Sequence, residues 1–125
     1  MAGELRRGDI VVCAPPGEYG KPRPAVILQA DIFLEARDSV TVCLITSTDV
    51  DAPLFRVPIE PGDESGLRGR SFAMADKVMT VSKARLRQRI GCLSAQERRA
   101  LDSAVSRWLG LSGVGASTDR NRSGR

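Results

Sequence analysis

Residues 20–28 read Gly-Lys-Pro-Arg-Pro-Ala-Val-Ile-Leu, a stretch that places one arginine between two prolines where an apolar strand begins. Proline fixes its own φ angle and biases the residue before it toward extended backbone, so Lys21 and Arg23 are kept out of helical conformations. The apolar residues that follow favour a β-strand. The stretch therefore predicts a strand whose first residues hold a cation in a restricted position.

Apolar and β-branched runs elsewhere in the chain predict a mainly β protein. Turn-forming proline and glycine separate these runs, above all in residues 15–20 and 61–66. One helix is well signalled, because Ser94 and Glu97 form a capping box and apolar side chains then recur on one face. We expect strands over residues 9–13, 25–29, 39–46, 55–59, 71–75 and 90–92. The pattern by itself fits either a small barrel or a small sandwich.

Length and composition indicate one globular domain followed by a tail. A chain of 125 residues is long enough for one modest core, which we assign to residues 1–111. Residues 112–125 are poor in bulky apolar side chains, and we expect them to form a disordered basic tail. Neither a membrane-length apolar run nor a signal-peptide pattern is evident. We therefore expect a cytoplasmic protein without membrane contact.

The cysteine and histidine content restricts the chemistry. The three cysteines, Cys13, Cys43 and Cys92, are scattered along apolar segments, so we expect buried thiols rather than disulfides or a zinc site. Histidine is absent, which removes every mechanism that needs an imidazole. We expect neither a metal nor a cofactor.

Positive charge is concentrated in the last third of the chain. Residues 1–82 hold 9 basic and 12 acidic side chains, whereas residues 83–125 hold 10 basic and 3 acidic ones. Lys83, Arg85 and Arg87 stand at alternate positions and continue to Arg89. Such a basic edge is typical of a surface that contacts phosphates, so we predict binding of a nucleic acid or an acidic partner there.

Six short motifs follow one another along the chain: Arg7–Val11, Pro22–Ile27, Ile45–Ser47, Ala75–Val81, Arg85–Leu86 and Ile90–Leu93. In this order they resemble the MazF/PemK toxins, which are ribosome-independent endoribonucleases of bacterial toxin–antitoxin pairs. The resemblance covers roughly residues 5–111. It implies an SH3-like small barrel of strongly bent antiparallel sheet with a C-terminal amphipathic helix, as in CcdB, MazF and PemK. It also implies a homodimer, a single-stranded RNA substrate and a cognate acidic antitoxin.

The same resemblance assigns catalysis to Arg23 and Thr46. RNA can be cut by its own 2′-hydroxyl, so the enzyme must align that attack and stabilise charge on the phosphorane-like transition state. The guanidinium of Arg23 suits this second task because it is planar and permanently charged. Thr46 can donate a hydrogen bond to a phosphate oxygen. We expect RNA contacts from Lys21, Ser47, Lys77, Lys83, Arg85 and Arg87.

The proton acceptor stays open between two carboxylates. Asp76 matches a carboxylate used in the PemK branch, but the arginine that stands two residues before it there is Met74 here. Glu18 lies in the loop after the first strand, where some relatives carry a histidine. Both remain candidates.

Two other classes of protein also fit parts of the pattern. The gyrase poisons of the CcdB type share the expected fold, but they resemble one another in a Trp-Gly-Ile terminus, whereas Trp108 is followed here by Leu109 and Gly110. A non-catalytic SH3-like module that binds RNA or protein would explain the basic edge, though not the pairing of Arg23 with Thr46.

Overall fold

The computed structural model describes residues 4–17 and 21–111, so Glu18 and the tail from residue 112 lie outside the described residues. Within this part of the chain there are six strands, two α-helices and a 3-10 turn. The strands are β1 (Asp9–Cys13), β2 (Arg23–Ile27), β3 (Ser39–Thr46), β4 (Arg56–Ile59), β5 (Ser71–Ser82) and β6 (Leu86–Cys92). The helices are α1 (Asp31–Leu34) and α2 (Ala95–Leu109), and the 3-10 turn is Lys83–Arg85.

The predicted strands are all present, but two are longer than expected. β5 continues to Ser82 although Asp76 and Lys77 interrupt its apolar pattern, and β6 begins at Leu86 although residues 87–89 are polar. Pairing with β3 and β1 satisfies the backbone groups of these extensions. The helix α1 has no side-chain cap and was not predicted. The capping box of α2 is confirmed, with Ser94 accepting from the Glu97 amide and Glu97 accepting from the Ser94 amide.

The strands form one antiparallel sheet in the order β4-β5-β3-β2-β1-β6. A bulge interrupts the pairing of β3 with β5. Cys43 pairs with Val78 and Ile45 pairs with Ala73, so residues 74–77 of β5 stand opposite Leu44. A bulge of this kind bends the strand and changes the direction of the side chains after it.

The two faces of the sheet bury different apolar clusters. The helix-side cluster contains Ile10, Val26, Cys43 and Ile45 together with Leu101 and Ala104 of α2. The opposite cluster contains Val11, Cys13, Ala25, Leu44 and Met74 together with Leu34 of α1. Alternation along each strand produces this division. Each fully buried aliphatic side chain in these clusters contributes about 1.5–3 kcal/mol to the free energy of folding.

A close backbone contact joins the two ends of the bent sheet. The connection between β4 and β5 crosses to the edge strand β6, where the Cys92 amide donates to the Glu64 carbonyl at 2.9 Å. A Cβ on Gly91 would overlap the backbone of Glu64 and Ser65, and a Cβ on Gly66 would overlap the Ile90 carbonyl. Gly66 also has a φ of +75°, which side-chain-bearing residues rarely adopt. The expectation of a strongly bent, barrel-like sheet with a C-terminal helix is confirmed.

Cys13 and Cys43 lie as expected, whereas Cys92 is only half-buried. All three are free thiols, with Cys13 and Cys43 buried. Burial raises the pKa of Cys43 to about 12, and the thiol donates to the Met74 carbonyl oxygen at 3.0 Å. None of the helices in the described residues is long and apolar enough to cross a membrane.

We predict that Gly91→Ala destabilises the fold by about 2–4 kcal/mol, because the new methyl group would meet backbone that cannot move without separating β6 from the β4–β5 connection. Urea unfolding followed by far-UV circular dichroism measures the change. Gly69→Ala is the matched control, since its Cβ would meet no atom within 4 Å. Equal unfolding midpoints for the two variants would contradict this role of the contact.

Candidate active site

Arg23 and Thr46 are brought side by side by the register of β2 and β3. Ala25 pairs with Leu44, and continuing this antiparallel register to the ends of the strands places Arg23 opposite Thr46. Thr46 in turn pairs with Phe72 of β5. Residues that are directly opposite in an antiparallel pair lie on the same face, with strands about 4.8 Å apart. The two predicted catalytic side chains therefore share one face and one end of the sheet.

The surroundings of the pair restrict both side chains. Arg23 is half-buried and its Nε atom is buried. The Thr46 Oγ1 accepts a hydrogen bond from the Thr48 amide at 3.1 Å, which orients the hydroxyl and leaves its own hydrogen able to donate. A cation and a hydroxyl donor held in this way can bind one phosphate group together.

Two cations of the predicted basic edge lie next to this pair. Arg23 pairs with Cys13, which also pairs with Leu86 of β6. Burial raises the pKa of the Cys13 thiol, while the nearby charges of Arg85 and Arg87 act in the opposite direction. Arg85 is further tied to β1, since its Nη1 donates to the Ala14 carbonyl at 3.3 Å. Positive charge thus extends from Arg23 across β1 to β6.

The other predicted RNA-binding residues are more scattered. Lys83 donates to the Leu34 carbonyl at the end of α1 and lines a cavity of about 380 Å³ that also contains acidic side chains. Lys21 and Ser47 are exposed next to Arg23 and Thr46 in the sequence. Lys77 is half-buried beside Asp76.

Asp76 forms a closely bonded pair with an arginine that sequence reasoning missed. Arg56 of β4 donates from Nε to Oδ1 at 2.9 Å and from Nη2 to Oδ2 at 3.1 Å. Arg56 pairs across the sheet with Met74. The guanidinium thus reaches Asp76 from the neighbouring strand. Only the pairing of β4 with β5 reveals this, because the two residues are 20 positions apart.

The environment of Asp76 makes its carboxylate a weak base. Burial raises its pKa, but the hydrogen bonds from Arg56 and its own backbone, with the charges of Arg56 and Lys77, outweigh burial and hold the pKa below the ordinary value of 3.8. A general base works best when its pKa lies near the working pH. Glu18, the other candidate, lies outside the described residues. The described residues contain no cluster of three potential metal ligands.

Comparison with known families gives the class of this protein. Residues 6–109 match the family described as the PemK-like, MazF-like toxin of type II toxin–antitoxin systems. The chain therefore belongs to this toxin family. It is 46% identical over 110 residues to a probable endoribonuclease MazF of Mycolicibacterium smegmatis, a match that covers 87% of this chain and 100% of the relative.

Solved structures show the same fold. The Mycobacterium tuberculosis toxin MazF-mt6 matches with a TM-score of 0.72 at 26% identity, over 82% of this chain and 97% of that one. A mycobacterial endoribonuclease in complex with its cognate antitoxin matches with a TM-score of 0.73 at 23% identity, over 86% and 96%. MazF from Deinococcus radiodurans matches at 0.74 and 20% identity, over 88% and 100%.

The Arg56–Asp76 pair should make the free energy of unfolding fall as the pH is lowered. Because the pKa of Asp76 is lowered on folding, its stabilisation is complete above the ordinary value of 3.8 and is lost as the pH falls through the lower folded-state value. We expect Asp76→Asn to lower the free energy of unfolding by about 1–3 kcal/mol at pH 7, and the difference from wild type to shrink below pH 3.8.

Urea unfolding at several pH values measures this difference. Asp49→Asn, at an exposed position, is the control for removal of one negative charge. The free energy of unfolding of Asp76→Asn could instead stay below that of wild type by a constant amount from pH 7 to the lowest pH at which both fold. That result would contradict a lowered pKa for Asp76.

Proposed function

We propose that this protein is a toxin endoribonuclease, an mRNA interferase, that cleaves single-stranded RNA at a short sequence and is neutralised by a cognate antitoxin. The observation that carries the proposal is the juxtaposition of Arg23 and Thr46 by strand register, beside the cations Arg85 and Arg87. Membership of the toxin family and the 46% identity to a probable endoribonuclease support it.

The proposed reaction uses the substrate's own nucleophile. The ribose 2′-oxygen attacks the adjacent phosphorus, the bond to the 5′-oxygen breaks, and the products carry a 2′,3′-cyclic phosphate and a 5′-hydroxyl. Negative charge develops on the equatorial phosphate oxygens during this step. Arg23 would stabilise that charge and Thr46 would donate a hydrogen bond to one of the oxygens. The step requires no metal ion or cofactor.

The proton of the 2′-hydroxyl needs an acceptor, for which Asp76 and Glu18 are the two candidates. The lowered pKa of Asp76 keeps it ionised at neutral pH but reduces its strength as a base. The low basicity of Asp76 favours Glu18, which precedes Arg23 by five positions in the sequence.

RNA binding would extend from the reacting phosphate to the neighbouring basic side chains. Arg85 and Arg87 have the best-placed charges, and Lys21, Ser47, Lys77 and Lys83 complete the proposed set. Base recognition would come from the connections over residues 14–20, 48–54 and 60–70, because sequence-specific readout of single strands relies on loop side chains that reach base edges.

The proposed partners are a second copy of the chain and an acidic antitoxin, in the cytoplasm. A groove that attracts phosphates also attracts acidic side chains, so an antitoxin segment can compete with RNA at Arg23 and along Lys83–Arg89. An exposed apolar surface at the end of α2 provides further contact area for assembly. It consists of Leu54, Trp108, Leu109 and Leu111.

We expect Arg23→Ala and Thr46→Ala each to reduce the cleavage rate roughly 100- to 1,000-fold while leaving the fold intact, because each removes a transition-state contact. Gel analysis of a long single-stranded transcript measures the rate. Arg37→Ala and Thr80→Ala, at exposed positions, are matched controls. Wild-type cleavage by a folded Arg23→Ala protein would refute the mechanism.

The products should carry 2′,3′-cyclic phosphate and 5′-hydroxyl ends, formed at an undiminished rate in EDTA, because the attacking oxygen belongs to the RNA. Mass spectrometry of the fragments identifies both ends. Fragments with 5′-phosphate ends, or activity that EDTA abolishes and magnesium restores, would exclude this chemistry.

A further inference from the structure

The Arg56–Asp76 pair holds a guanidinium in a fixed orientation near the proposed site. The side chains of Arg56 and Asp76 are only 15% and 14% exposed, and two parallel hydrogen bonds join them. The Arg56 Cζ also lies 5.9 Å from the centroid of the Phe55 ring. A bidentate pair of this kind fixes both the position and the plane of the guanidinium.

Asp76 uses only part of the donor capacity of Arg56. A guanidinium carries five N–H groups, of which Asp76 accepts from one on Nε and one on Nη2. Within residues 4–17 and 21–111, no other protein acceptor bonds this side chain. The Nη1 group and the second hydrogen of Nη2 can therefore bond a further anion, and Nη1 is not among the fully buried atoms that lack a hydrogen bond.

The register places Arg56 on the face that carries Arg23 and Thr46. Arg56 pairs with Met74, and Met74 belongs to the same buried cluster as Cys13, the partner of Arg23. From Thr46, the position of Arg56 is two strands across and two residues along the sheet, a separation of roughly 12 Å between backbones. The guanidinium is bonded to Asp76, four residues along β5 from Phe72, which is the partner of Thr46. It therefore suits a neighbouring phosphate of the same RNA strand rather than the phosphate that Thr46 contacts.

We propose that Arg56 is a further RNA-binding residue, which contacts a phosphate next to the one that is cut, and that Asp76 is the positioning residue that holds it. This inference rests on the proposed function. It gives Asp76 a task other than proton transfer. A carboxylate whose two oxygens accept from one guanidinium is well suited to orienting that guanidinium.

RNA binding at several salt concentrations tests the proposal. The probe is a mixed-sequence RNA with a 2′-O-methyl group at every position, which cannot be cleaved by its own 2′-hydroxyl. For single strands, the slope of log affinity against log salt changes by about 0.7 for each phosphate that the protein no longer neutralises. We expect Arg56→Ala to reduce the slope by this amount and to weaken binding about fivefold to tenfold at low salt.

The Asp76→Ala variant separates positioning from simple charge. Removal of a negative charge near RNA should strengthen binding if only net charge matters. If Asp76 holds Arg56 in place, Asp76→Ala should instead weaken binding. The Arg56→Ala and Asp76→Ala double variant should then be no weaker than Arg56→Ala alone, because the two residues act as a unit.

Arg99→Ala is the matched control, since it removes the same charge from an exposed position on α2 and should leave the slope unchanged. Arg56→Gln provides a second variant should Arg56→Ala not fold, because its amide can still donate to Asp76 while the charge is removed. An unchanged salt slope in folded Arg56→Gln or Arg56→Ala protein would overturn the proposal. Stronger binding by Asp76→Ala would overturn the positioning role.

Cleavage assays on an unmodified transcript distinguish failure of the Arg56 proposal from failure of the proposed endoribonuclease function. If wild type cuts RNA and Arg23→Ala does not, the proposed function stands whatever the Arg56 variants show. If wild type does not cut RNA, the proposed function fails even where Arg56 contributes to binding.

Discussion

The contact of Gly66 and Gly91 with the opposing backbone is the constraint on which the rest of the structure depends. It holds the connection between β4 and β5 against β6, although these strands are at opposite edges of the sheet. A flat sheet of this order would keep the two edges far apart. Because no side chain fits between the backbones, the sheet bends until they touch, and the helix-side cluster includes Leu67 of this connection with Ile90 of β6 packed against it.

The proposed site is a product of this bent sheet rather than of any one segment. Its residues come from β2, β3, the 3-10 turn and β6. Antiparallel pairing places them at one end of the sheet because it fixes which residues stand opposite one another. The prolines on either side of Arg23 restrict the backbone at the first residue of β2. Arg23 therefore stays at this edge of the sheet, where a bound phosphate can reach it. The bulge opposite Leu44 then brings Asp76 and its arginine to the same region.

Two arginines near the site, Arg56 and Arg23, differ in the charged groups that surround them. Arg56 lies beside a carboxylate that is nearly buried, so its charge is locally balanced and its position is fixed. Arg23 lies beside Cys13, close to the further cations Arg85 and Arg87. The charges of Arg85 and Arg87 make this end of the sheet attractive to anions.

Local patterns of residues were sufficient to predict the mainly β class, the core of every strand, the capped helix α2 and the candidates Arg23 and Thr46. These features depend on local patterns, such as apolar runs, prolines and a capping box, which act over a few residues. The tertiary structure alone decided the length of β5 and β6, the short helix α1 and the partner of Asp76. Asp76 and Lys77 have weak strand propensity and interrupt the local pattern, and pairing of the following residues with β3 continues β5 to Ser82. Likewise, Arg56 meets Asp76 across 20 residues of sequence, because strand pairing, unlike local propensity, joins residues irrespective of their separation along the chain.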